Sequence, residues 1–333
     1  MKYFVTGATG FIGRGVVRQL VAQGHEVITV SRTPSKSDHL FDLGVEIRKG
    51  DITEKESMRE AMRDVDGVFH LAAWYAIGSH SQKDKARGEQ INVLGTRNVL
   101  ELMKELHIKK GVYTSSLAVF SDTKGRLSTE ATHYRGPFLN AYEQTKWKAH
   151  FEVAVPMIEH GLPLVIVMPG VVYGPGDASA VHDTFVAYLN RNLKVSPQKT
   201  AVCWGHIEDT ACGHLLAMEK GRKGESYIIA GPIHTLIETM AIAAKLTGIP
   251  APTRHPSPRM MRFMAAVTEI AGHIMKVPPL YAAENLRSLA GTTYIASSDK
   301  AKIELEFAPR PLEEGLRETL AFEMKLLEAE KAR

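Results

Sequence analysis

Tyr142 and Lys146 lie four residues apart in Tyr142-Glu143-Gln144-Thr145-Lys146, which puts both on one face if the segment is helical. A phenol with a pKa near ~10 does little acid–base work at neutral pH unless a cation lowers it. A lysine one turn along can supply that cation. Such a pair is common by chance, but Ser115-Ser116 adds weight. These serines follow the apolar run Gly111–Thr114, so a hydroxyl stands at the end of a strand and can hold a carbonyl or alcohol beside the phenol.

The redox partner of that proton is written at the start of the chain. Lys2-Tyr3-Phe4-Val5 reads as a strand, Thr6–Gly13 carries glycines at 7, 10 and 13, and Arg14–Val21 has helical periodicity. Strand, glycine turn and helix in that order form a dinucleotide site. Gly7 allows the tight turn, Gly10 lets the backbone approach a pyrophosphate, and Gly13 lets helix and strand pack closely. Thr9, Phe11 and Ile12 lie in the same turn. A nicotinamide hydride coupled to a Tyr142 proton interconverts carbonyl and alcohol. The second strand should end at the adenine ribose, where an acid suits NAD and a base suits NADP. Here the residues are Ser31, Arg32 and Lys36, with no acid among them, so NADP(H) is favoured and NAD(H) is the other option. Asp51-Ile52, after the third strand, suits an adenine-edge contact.

These residues need a frame that brings strand ends together. Strands are expected at Lys2–Val5, His25–Val30, Val45–Arg48, Gly67–Leu71, Gly111–Ser115 and Leu164–Met168. Helices are expected between them, as at Glu54–Val65, Asn92–Leu106 and Tyr142–His160. That alternation predicts an α/β fold: a doubly wound (Rossmann) parallel sheet with helices on both faces, ligands at the carboxyl ends of the strands, and a smaller C-terminal lobe for substrate. The dinucleotide-binding part is expected at 1–173 plus about 202–232, and the substrate lobe at about 174–201 and 233–333.

Composition agrees. At 333 residues the chain exceeds the ~150 of a typical domain. Its apolar share of 44% is that of a globular protein, and its net charge of +4 gives no nucleic-acid stripe. Cys203 and Cys212 have no metal-ligand spacing, and His182, His206, His214 and His234 are scattered, so no metal is expected. The glycine motif begins almost at Met1 and no apolar run spans a bilayer, so the expectation is a cytoplasmic protein without membrane or nucleic-acid partners.

The chain resembles the extended short-chain dehydrogenase/reductases, that is the NAD-dependent epimerase/dehydratase superfamily, over nearly its whole length. The resemblance rests on Thr6–Gly13, Asp51-Ile52, His70–Ala73, Asn92–Thr96, Ser115-Ser116, Tyr142–Lys146, Pro169–Gly176, Gly205–Ala211 and Pro309–Leu316. It implies that Ser116 is the catalytic hydroxyl, being four residues before Phe120. Tyr142 would be the acid/base, and Lys146 the residue that binds the nicotinamide ribose and tunes Tyr142. Asn92 would support the active-site helix or a water relay, or simply bond to backbone. Leu71, Ala72 and Ala73 would line the pyrophosphate and ribose, with Pro169 and Val172 near the carboxamide. Relatives pair through the two helices Asn92–Leu106 and Tyr142–His160, so a homodimer is expected on the stripe Ala149, Val153 and Met157.

Three departures separate the chain from the nucleotide-sugar branch. Val171 stands where those enzymes carry Asn, no acid follows the second strand, and Leu117-Ala118 follows the catalytic hydroxyl. The resemblance is therefore closest to the dihydroflavonol-reductase-like branch. The expected function is an NADP(H)-dependent reductase acting on a small, largely apolar ketone or aldehyde. The alternatives are an NAD-dependent nucleotide-sugar epimerase/dehydratase and a non-catalytic dinucleotide sensor. Trp74-Tyr75 would add apolar area at the cleft mouth, or pack against the small lobe. Met260–Val267 would form an adaptable lid or part of the core.

Overall fold

Every apolar run expected to be a strand is one in the computed structural model, which describes residues 1–36, 38–75, 82–272 and 282–331. The strands are β1 (Lys2–Thr6), β2 (Glu26–Ser31), β3 (Glu46–Lys49), β4 (Gly67–His70), β5 (Gly111–Thr114) and β6 (Leu164–Pro169). Three follow in chain order, β7 (Val171–Tyr173), β8 (Ala201–His206) and β9 (Ser226–Ile229), and then β10 (Ile233–Thr235) and β11 (Thr293–Tyr294).

The main sheet has the order β3-β2-β1-β4-β5-β6-β9, and every pairing in it is parallel. The strand order reverses between β1 and β4, the place where such sheets open a crevice for a ligand. One face is buried by the helix Phe11–Ala22, which packs on the helix Ile207–Glu219. The other is buried by Glu56–Met62, Gly95–Glu105 and the tyrosine helix. With both faces covered, β4, β5 and β6 are buried along their whole length.

The second sheet is built around β8, whose first half lies between β10 and β11 and whose second half pairs with β7. Helices Ala180–Leu189, Leu236–Thr247 and Leu312–Lys331 bury Phe185, Met240 and Leu316 against Val202 and Trp204 of β8. The chain therefore divides differently from the simple boundaries above. β8 falls within 202–232 but is the hub of the second sheet. Conversely Ala301, Leu305 and Phe307 return to the core of the main sheet.

The tyrosine helix is α-helical at Ala141–Trp147, widens to a π-helical stretch at Lys148–Ala154, and resumes at Val155–Glu159. Pro156, just past the widened stretch, has no N–H to give and would crowd the carbonyl of Glu152 in a regular helix. The stripe expected to pair two subunits is not on the surface. Ala149 and Val153 are 0% and 2% exposed and belong to the core beneath the sheet, with Met157 packed against it. Helical periodicity marks a buried face without saying whether the same chain buries it. No described helix is long and apolar enough to cross a membrane.

Candidate active site

The glycine turn has the geometry its spacing demands. Gly7 has φ +71°, and a Cβ there would stand 2.7 Å from the Ala72 nitrogen. A Cβ on Gly13 would stand 2.0 Å from the Gly7 carbonyl. Gly10 differs, because its nearest neighbour would be 3.2 Å away. The fold demands glycine at 7 and 13, whereas at 10 the lack of a side chain leaves room for something outside the chain. Gly10 begins the helix Phe11–Ala22 with no side-chain cap and no acid in its first turn, so the N–H groups there have no anionic partner of their own. Arg14 occupies that first turn and donates to the Gly176 carbonyl at 3.0 Å. A cation at a helix N-terminus is unfavourable unless an anion is near. The turn therefore fits a dinucleotide pyrophosphate, and Arg14 joins the expected residues Thr9, Phe11 and Ile12 in lining it. The misplaced charge in the helix's first turn is the signal that could have identified Arg14 from sequence.

Beyond the turn, Thr6 organises the start of the crevice. Its hydroxyl meets His70 Nδ1 at 2.7 Å and accepts from the Leu71 and Ala72 N–H groups, both at 3.2 Å. His70 Nε2 reaches Thr96 at 2.9 Å, and burial holds this imidazole down to about 3, hence neutral. Leu71 and Ala73 line the cavity, while Ala72 makes the close backbone approach to Gly7. At the adenine end, Ser31 terminates β2, and Arg32 is exposed directly after it. The backbone of Lys36 ends a short helical turn, but its side chain lies outside the described residues. Asp51 Oδ1 accepts from the N–H and hydroxyl of Thr53, both at 2.9 Å. Ile52 is turned into the core, where Gly95 makes room for it, and its carbonyl accepts from Asn98 at 2.8 Å.

The residues expected to move the proton lie after β5 and on the tyrosine helix. Asn140 caps the tyrosine helix by accepting from the Glu143 N–H at 2.9 Å. The cap turns Tyr142 and Lys146 toward the cavity that both line. Ser116 accepts from the Ala118 N–H at 3.1 Å and lines the same cavity as Tyr142. Ser115 instead meets His150 at 2.8 Å, which separates the two neighbouring serines by partner. Lys146 donates to the Thr114 carbonyl at 2.7 Å. Burial pushes the Tyr142 phenol up to about 12, with the nearby Ser116 hydroxyl pulling the other way. Burial also draws the Lys146 ammonium down to about 7. The expected lowering of the phenol by the lysine does not appear. Desolvation penalises both charged forms, and the ammonium spends its strongest hydrogen bond on a carbonyl.

Asn92 is wholly engaged. Its Oδ1 accepts from the Trp74 N–H at 2.6 Å, and its Nδ2 donates to the Trp74 carbonyl at 3.0 Å and to the Thr145 hydroxyl at 2.9 Å. It ties the segment after β4 to the turn of helix that carries Lys146, so it supports the site without facing it. Trp74 and Tyr75 part company. Tyr75 lines the cavity, whereas the Trp74 ring packs 4.0 Å beneath the Arg87 guanidinium, away from it.

All of this opens on one cavity of about 760 Å³ that runs from the glycine turn into the small lobe. Val171 and Val172 form its wall beside Pro169, and Phe185, Val202, Trp204, Met240 and Leu286 extend it. Met260–Val267 is divided between the two roles expected of it. Met261 lines the cavity and packs with Ala265 on Leu286 and Ala290, while Met260, Phe263 and Val267 face outward. Tyr294 of β11 donates to Glu143 at 2.6 Å, and both line the cavity. A pair separated this far along the chain has no signal in the sequence.

A glycine turn at the crossover of a parallel sheet, leading to a Ser–Tyr–Lys set, defines an enzyme built around a nicotinamide dinucleotide. Residues 3–230 match the signature of the NAD dependent epimerase/dehydratase family, and the chain belongs to that family. It is an NAD(P)-dependent oxidoreductase of the extended short-chain dehydrogenase/reductase type. A putative dihydroflavonol 4-reductase from Synechocystis sp. is 33% identical over 259 residues, 75% of this chain and 74% of that one. The crystal structure of gox2253 has a TM-score of 0.83 at 28% identity, covering 97% of this chain and 98% of that one. The UDP-glucuronic acid 4-epimerase of Bacillus cereus, solved with NAD, gives a TM-score of 0.78 at 22% identity, covering 98% and 100%. At that identity the likeness is one of fold.

Proposed function

We propose that this enzyme is an NADP(H)-dependent reductase that interconverts a small, largely apolar ketone or aldehyde and its alcohol. The observation that carries the reading is the cavity lining. Among the described residues its cations are Arg14 and Lys146, both at the cofactor end, and from Ala180 onward no lining side chain is charged. A nucleotide sugar brings two phosphates of its own and needs cations to replace their water. An apolar carbonyl compound needs none. The reductase named among the relatives supports the same reading.

When bound, the nicotinamide supplies the hydride for the carbonyl carbon. Ser116 and Tyr142, which line the same cavity, would both reach the carbonyl oxygen. With its pKa near 12, Tyr142 holds its proton at neutral pH and is ready to give it to that oxygen. Lys146 would face the nicotinamide ribose. Arg32, exposed at the end of β2, would meet the 2′-phosphate of NADP with its planar fork.

The test has two parts. Fluorescence titration should give tighter binding of NADPH than NADH, with Arg32→Ala losing about tenfold or more for NADPH alone. Equal affinities in the wild type would overturn the cofactor preference. A carbonyl panel followed at the NADPH absorbance should then find a substrate, and Tyr142→Phe should lower its turnover by about a hundredfold or more with cofactor binding kept. Tightly held NAD in the purified protein, with a melting shift from UDP-sugars and none from apolar ketones, would favour the epimerase instead.

A further inference from the structure

The helix Pro258–Gly272 walls the far end of the cavity, with Met261 lining it and Ala265 packed with Met261 on Leu286 and Ala290. Its opposite face is also apolar. Met260, Phe263, Val267 and Ile270 recur at three- and four-residue intervals, and each is between 49% and 69% exposed. No other described helix presents more than two large apolar side chains so openly. Single exposed apolar residues are ordinary, but a stripe of four on one helix face marks a surface that something else covers. The charges beside it say what. Arg259 and Arg262 stand on the same helix and Arg254 precedes it; all three are exposed, and none pairs with a carboxylate among the described residues. Glu269, the one acid of the helix, is held by Arg287. The covering partner must therefore be apolar in its interior and anionic at its surface. A second copy of the chain would bring the same surplus of arginines to the contact.

We propose that this helix docks the enzyme on the surface of an anionic phospholipid bilayer, with its apolar stripe at the acyl boundary and its arginines at the headgroup phosphates. Phe, Ile and Met on one face with arginines beside them are the makeup of helices that lie in such an interface. The inner face of the same helix lines the cavity, so docking sets the apolar end of the cavity against the phase in which an apolar carbonyl compound collects. That consequence rests on the reductase reading; the docking itself does not. The proposal departs from the expectation of no membrane partner, because residue spacing marks an apolar face without showing whether the chain covers it.

The test is flotation of the full chain with vesicles. At low salt, vesicles containing phosphatidylglycerol should bind the protein about tenfold or more better than vesicles of phosphatidylcholine alone, and added salt should shrink the difference. Arg259→Gln with Arg262→Gln should lower that binding about tenfold or more, since one basic residue near an anionic surface contributes about fivefold. Phe263→Ser with Ile270→Ser should lower it as far. All four side chains are exposed, so both double variants should melt with wild type; if one does not, the wild type compared on the two vesicle types still decides. No flotation with phosphatidylglycerol, equal flotation with both lipids, or flotation that survives both double substitutions overturns the docking face. A dimer in sedimentation that Phe263→Ser with Ile270→Ser dissolves also overturns it, because the stripe then meets a second copy. Flotation of a protein that reduces no ketone in the panel leaves the docking face standing while the reductase reading falls, and ketone reduction without flotation does the opposite.

Discussion

The ring of Tyr75 stands edge-on to that of Tyr142, with centroids 4.9 Å apart and planes at 83°. One ring comes from the segment after β4, the other from the tyrosine helix, and Tyr75 is 51% exposed. Tyr75 therefore covers the edge of the Tyr142 ring and is wet on its other side. Tyr75→Ala should lower kcat/KM by about tenfold, because an edge-to-face pair contributes ~0.5–1.5 kcal/mol and the cover is lost with it. Tyr75→Phe keeps the ring and should stay within about twofold. Steady-state kinetics of the two variants side by side decides the matter, and equal losses would contradict the covering role.

The three glycines should separate in their effects. Gly13→Ala places a methyl where the Gly7 carbonyl already sits, so the cofactor-free protein should lose about 1–3 kcal/mol, the usual cost of overpacking. Gly10→Ala meets nothing closer than 3.2 Å in the chain and should melt within a few degrees of wild type, yet bind dinucleotide about tenfold or more weakly. Thermal melts with and without cofactor read both quantities.

Asn92 acts through others, so its removal should show as stability and geometry together. Asn92→Ala leaves the Trp74 N–H and carbonyl without their partner and frees Thr145. The expected cost is about 1–3 kcal/mol, seen as a lower urea midpoint at unchanged slope. Turnover should fall more than cofactor affinity, because the released helix turn carries Lys146. A variant as stable and active as wild type would remove Asn92 from the support of the site.

The pH dependence of stability follows from four buried groups. Burial holds His70 and His150 down to about 3 and His214 to about 4. In the unfolded chain each titrates near ~6.5, so below that pH the unfolded state binds protons that the native state refuses. Stability therefore falls as pH drops from about 6.5 towards 3. Lys146 has the same sign higher up. Its native value of about 7 lies below the ordinary 10.5, so stability of the cofactor-free protein rises with pH between those values. Melting temperatures measured across that range should lose the alkaline rise in Lys146→Met and keep the acid fall.

Local chemistry carried most of the fold and the cofactor half of the site. Apolar runs became strands β1, β2, β4, β5 and β6, because a strand buried on both faces needs little beyond its own composition, whereas β3 is a mostly charged, exposed edge strand. Gly7 and Gly13 were legible because a turn and a close approach are set by neighbours in the chain. Tyr142 and Lys146 were legible because helical spacing alone puts them on one face. Ser116 could be told from Ser115 only by resemblance, until the His150 contact showed where Ser115 goes.

What the tertiary structure alone decided is the environment of those same residues. The periodicity of Ala149 and Val153 marked a buried face, but only the packed chain shows that its own core fills it. Adjacent Trp74 and Tyr75 look equivalent as letters, and the Asn92 clamp on the Trp74 backbone sends their rings to different places. The spacing of Tyr142 and Lys146 suggested a lowered phenol, whereas burial, which depends on everything around the pair, raised it. The Glu143–Tyr294 bond joins residues 151 positions apart in the chain. Periodicity and motifs report what a residue can do within a few turns of itself. Desolvation and partner choice are set by residues that only folding brings near.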